Sequence, residues 1–131
     1  MKVKLIWRII YIIYPPILRV LEKLGFHKGR QDFKLGFLNK QYSVNDLANF
    51  LLANGYSKAI LAWQDTGEVL NMRLLDKEIY QYHLRLFSDG ELRGHYEFAP
   101  ENYPLKHVRA ELFENRGEYF GKFLGDCLVK N

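Results

Sequence analysis

Six residues able to do chemistry fall at alternate positions in two short stretches: His83 and Arg85, then Glu91, Arg93, His95 and Glu97. Residues two apart on a β-strand point to the same side, so two paired strands would gather all six on one surface. The loop between the stretches, Ser88-Asp89-Gly90, decides whether they meet. A two-residue Asp89-Gly90 turn would pair Leu84 with His95 and Leu86 with Arg93, mixing polar and apolar side chains on both faces. A three-residue loop with Gly90 in the left-handed conformation shifts the pairing by one residue. Tyr80, Tyr82, Leu84 and Leu86 then share a face with Leu92, Gly94, Tyr96 and Phe98. Gln81, His83, Arg85 and Phe87 share the other with Glu91, Arg93, His95 and Glu97. The second register separates apolar from polar side chains and is the one expected. It sets His83 opposite His95, Arg85 opposite Arg93 and Gln81 opposite Glu97, with Cβ atoms ~5 Å apart.

Three chemistries fit these types at this spacing. His83, His95 and Glu97 could form a facial metal site of two imidazoles and one carboxylate. Arg85 and Arg93 stand beside it and would repel a divalent cation, so neither a metal nor any other cofactor is expected. Two facing guanidiniums suit an anion better. With Glu97 or Glu91 as base, His83 or His95 as acid and the arginines on a phosphate, the set is complete for metal-independent cleavage of RNA or another phosphodiester. In outline this resembles the barnase-like and RelE-like toxin ribonucleases, which set such residues on an antiparallel sheet behind N-terminal helices. The resemblance is one of architecture, with no shared motif. The third possibility is a plain charged face: Glu91 lies diagonal to Arg85 and next but one to Arg93, so an internal ion ladder could neutralise both. That reading is preferred.

The remaining candidates are weaker. His107 is expected on a helix surface or in packing, because Leu105 and Val108 flank it; His27 belongs to a basic connector. Cys127 stands at helical spacing from Phe123 and Leu124, which predicts a core thiol. No Gly-rich phosphate loop, Cys-x-x-Cys pair, Gly-x-Ser-x-Gly elbow or His-Glu-x-x-His helix occurs.

The elements that must position the face follow from periodicity. Phe33, Leu35 and Phe37 alternate with Lys34 and Gly36, giving a short strand. Ser43 to Asn54 is a helix with Ser43 as N-cap, Asp46 closing the capping box and Leu47, Phe50 and Leu51 as the buried stripe. Lys58 to Gln64 and Glu68 to Leu75 predict a hairpin around Asp65-Thr66-Gly67, and Ile79 to Phe87 with Glu91 to Phe98 a second one. After Pro100 the pattern turns helical around Leu105, Val108 and Leu112, then around Tyr119, Phe123 and Cys127. The expected architecture is α+β: a four-stranded antiparallel meander of two hairpins, with helices on one face. A hydrophobic basic helix, residues 1–26 and broken at Pro15-Pro16, precedes it. Residues 27–42 form the connector and 43–131 the domain.

The 131 residues, with a single cysteine, exclude a disulfide-stapled scaffold, and 48% apolar content excludes a disordered chain. The net charge of +4 is unevenly placed. Residues 1–40 hold 9 basic and 2 acidic side chains, residues 41–131 hold 10 and 13. An acidic body is a poor match for a phosphate backbone, so nucleic acid is not the expected partner. Within the first segment, Lys2, Lys4 and Arg8 combine positive charge with the interface-favouring Trp7, Tyr11 and Tyr14. The uncharged run Ile9 to Leu18 is too short to span a bilayer and carries two prolines. These features predict a small non-catalytic binding domain in the cytoplasm, its N-terminal helix packed on the domain or docked peripherally on an anionic membrane surface or another protein. A ribonuclease or other phosphodiesterase is the alternative.

Overall fold

In the computed structural model, residues 33–58, 66–108 and 111–130 are described, together with Ile9 and Ile13. The remainder of the N-terminal segment, including Lys2, Lys4, Trp7, Arg8, Tyr11 and Tyr14, lies outside the described residues. Ile9 and Ile13 are helical and half exposed. No helix among the described residues is long and apolar enough to cross a membrane.

The body begins with strand β1 (Phe33–Leu38) and helix α1 (Val44–Ala53). Ser43 starts α1 as expected: its hydroxyl accepts from the Asp46 amide at 3.0 Å, and the Asp46 carboxylate accepts from the Ser43 amide at 2.8 Å. These two bonds satisfy backbone donors that a helix start otherwise leaves open. Hydrogen bonds from the Ser43 amide and the Ser43 side chain hold the Asp46 carboxyl below its ordinary value. Then come β2 (Ser57–Lys58), β3 (Glu68–Asp76), β4 (Tyr80–Phe87) and β5 (Glu91–Phe98). Lys77 and Glu78 both take positive φ in the β3–β4 turn, the backbone that a tight hairpin turn of the right twist requires. Helix α2 (Pro104–Val108), β6 (Phe113–Glu114), α3 (Gly117–Leu124) and β7 (Leu128–Val129) complete the order.

The fold is α+β with a larger sheet than the expected four-stranded meander. Seven strands pair antiparallel in the order β2-β3-β4-β5-β1-β7, and β6 also pairs with β5. Periodicity could not show the extra strands, because β6 and β7 are two residues long. β1 does alternate, and it docks beside the first half of β5 while β6 docks beside the second half. Of the expected first strand Lys58 to Gln64, only Lys58 is described, in β2.

Leu47 and Leu51 of α1 and Phe120 and Leu124 of α3 pack with Met72, Leu84, Leu86 and Leu92 of the sheet. Gly94 is part of this fit. A Cβ there would lie 2.9 Å from the fully buried Phe120 ring and 3.1 Å from the His83 carbonyl oxygen. Helices do not confine themselves to this face: α2 sends His107 to the opposite one, where β6 places Phe113.

Candidate functional site

The β4–β5 register is the expected one. His83 faces His95, Arg85 faces Arg93, Gln81 faces Glu97 and Leu84 faces Gly94. Gly90 closes the loop with φ of 89°, the left-handed conformation that shifts the pairing by one. The six candidate residues therefore share one sheet face.

The interactions on that face differ from the expected ladder. Arg93 reaches Glu91 through both Nε and Nη2, each at 3.2 Å. Arg85 pairs with Glu68, at 3.3 Å from Nη1 to Oε2, and not with its diagonal neighbour Glu91. The reason is a bulge in β3: Glu68 pairs with Phe87 and Leu70 with Leu86, so Val69 is the extra residue. One inserted residue swings Glu68 from the Leu70 side to the side of Arg85 and Asn71. Arg73, opposite His83, pairs with Glu101 and donates to Gln81 Oε1 at 3.2 Å. Among the described residues, the three arginines on this face, Arg73, Arg85 and Arg93, thus each have a carboxylate partner.

Glu97 has a different environment. It is 1% exposed, and its partners among the described residues include three imidazoles and an amide. His95 Nε2 donates to Oε2 at 2.6 Å and Gln81 Nε2 donates to the same oxygen at 2.9 Å. His107 Nδ1 lies 3.1 Å from Oε1 and also 2.9 Å from the Phe98 carbonyl. His83 Nδ1 lies 3.7 Å from Oε2, while its Nε2 bonds Asn71 Oδ1. Burial pushes the Glu97 carboxyl up, but the positive charge of His95 and hydrogen bonds from His107, His83 and His95 outweigh it. The net effect holds the group well below the usual carboxylate range. Phe113 stacks on the His95 ring with centroids 4.3 Å apart.

The chain matches no family model, no curated protein and no solved structure. What the site can do rests on its own geometry.

Sequence reasoning brought Gln81, His83, His95 and Glu97 together but missed four contributors. His107 was expected on a helix surface or in packing; it is mostly buried, against Glu97. Its link to Glu97 forms only when α2 folds back on the sheet, which no local pattern announces. Glu68 arrives through the bulge, Asn71 through the β3 register and Phe113 through a two-residue strand. Cys127 is buried as expected, and burial with nearby Asp126 and Asp46 pushes its thiol up. Arg93, Phe87, Asp89, Glu91 and Thr66 line a hollow of about 450 Å³ near the loop tips. The Arg93 guanidinium there sits over the Phe87 ring at 4.4 Å and is already bonded to Glu91.

Proposed function

We propose that the chain is a small non-catalytic binding domain that docks peripherally on an anionic membrane surface through its basic N-terminal segment. One observation carries the non-catalytic half. On the sheet face every described arginine has a carboxylate partner and Glu97 is sealed at 1% exposure, so the groups a phosphodiesterase would need are engaged with one another. A substrate phosphate would have to displace those carboxylates and reach a buried base, both of which oppose binding. With the arginines of the face matched, the positive excess available to an anionic partner is that of residues 1–40, with 9 basic against 2 acidic side chains. Lys2, Lys4 and Arg8 beside Trp7, Tyr11 and Tyr14 suit a headgroup layer, where each cation contributes about 1 kcal/mol. A cytoplasmic location goes with this reading.

The test is co-sedimentation of the full chain with vesicles of phosphatidylserine and phosphatidylcholine. Binding is expected at low salt, weakened at high salt and lost in the Lys2→Glu, Lys4→Glu, Arg8→Glu triple variant. Equal sedimentation of the two chains would overturn the membrane half. Incubation with single-stranded RNA in EDTA tests the other half. Cleavage that disappears in His83→Ala, His95→Ala and Glu97→Ala would replace this reading with a hydrolase.

A further inference from the structure

We propose that His83 Nδ1, His95 Nε2 and Glu97 Oε2 form a binding site for a first-row divalent metal ion, with zinc as its ligand of choice. These three atoms lie within 4.8 Å of one another. A zinc ion bonded at ~2.0–2.2 Å holds its donors roughly 3.3–3.6 Å apart, from the same bond lengths and a tetrahedral angle. The His83–Glu97 separation of 3.7 Å is close to that span, and the His95–Glu97 contact of 2.6 Å must open as the bridging proton leaves.

Three further observations point the same way. The first is the orientation of the His83 ring. Asn71 Oδ1 bonds Nε2, which directs Nδ1 toward Glu97, where a metal ion would take the place of its proton. A ligating imidazole fixed through its other nitrogen is the outer-shell arrangement of protein metal sites. The second is the support of the carboxylate: Gln81 holds Oε2 and His107 holds Oε1, so Glu97 is oriented before any ion arrives. The third is charge. The objection that Arg85 and Arg93 would repel a cation loses its force, because Glu68 and Glu91 neutralise them. Among the described residues Glu97 faces imidazoles, and an imidazole can exchange a proton for a metal ion. Two imidazoles with one carboxylate favour zinc and its transition-metal neighbours over magnesium or calcium, which take all-oxygen sites.

The site is independent of the membrane reading, and its test uses the full chain and zinc alone. Titration of the metal-stripped protein with zinc chloride against a chromogenic chelator should show one saturable site per chain, with magnesium chloride giving none. His83→Ala and His95→Gln should each weaken binding by more than the ~10- to 100-fold typical of losing an outer-shell partner, and Gln81→Ala by about that amount. His27→Ala and Cys127→Ala should leave it unchanged. Cobalt substituted for zinc should give visible d–d bands that the His83→Ala variant lacks. Absence of a saturable zinc site in folded wild-type protein would overturn the proposal even if every variant failed to fold. Undiminished binding in folded His83→Ala would overturn it as well.

Discussion

Replacing Glu97 by Gln removes one charge and almost no volume, and the structure states what that costs. Glu97 accepts from Gln81 and His95 on Oε2 and from His107 on Oε1. A glutamine offers one accepting oxygen and one donating amide, so whichever way it lies, a donor meets a donor. Hydrogen bonds to a charged acceptor contribute ~1.5–3 kcal/mol each, and breaking a buried pair costs ~3–5 kcal/mol. The expected loss is the low end of that range, about 3 kcal/mol. With an m-value of about 2 kcal/mol per molar urea, the unfolding midpoint should fall by about 1.5 M. The assay is urea denaturation followed by circular dichroism in EDTA, at neutral pH and again in acid. A carboxyl lowered in the folded state stabilises it above the unfolded value, near the ordinary 4.5, and loses that contribution as pH falls through the folded value. The gap between wild type and variant should therefore be constant above about pH 5 and narrow steadily below pH 4.5. A midpoint shift under about 0.5 M at pH 7, or a gap that persists unchanged into acid, would refute the reasoning.

Three other outcomes are expected. Gly94→Ala should destabilise by about 1–3 kcal/mol, because its Cβ meets the Phe120 ring and the His83 carbonyl; a thermal melt as high as wild type would contradict this. Ser43→Ala should cost about 1 kcal/mol through loss of the α1 cap, read as a lower urea midpoint. Cys127, buried with its thiol pushed up, should react with a disulfide reagent far more slowly in the native chain than in urea, and equal rates would show that the thiol is open.

The β4–β5 hairpin was legible because two local signals agree on it: a glycine at the one loop position that needs positive φ, and strict alternation on both sides. The cap of α1 was legible for the same reason, since Ser43 and Asp46 are three residues apart. What escaped is non-local or aperiodic. The partner of Arg85 depends on a bulge that moves Glu68 across the strand, and nothing in Glu68-Val69-Leu70 distinguishes a bulge from a regular strand. β7 has two residues and meaning only beside β1. Such a detail also sets the charge beside His83 and His95, where Glu68 and Glu91 offset the two guanidiniums.

The pairing of β7 with β1 also bears on the order of assembly. β3, β4 and β5 are joined by short turns and can zip in succession at little loop-closure cost. β1 precedes all three in the chain yet pairs with the last of them, and its other edge waits for Leu128 and Val129. The first described strand thus finds its place late, between partners from the far part of the chain. Native-state hydrogen exchange should accordingly protect the amides of β4 longest and release those of β7 first.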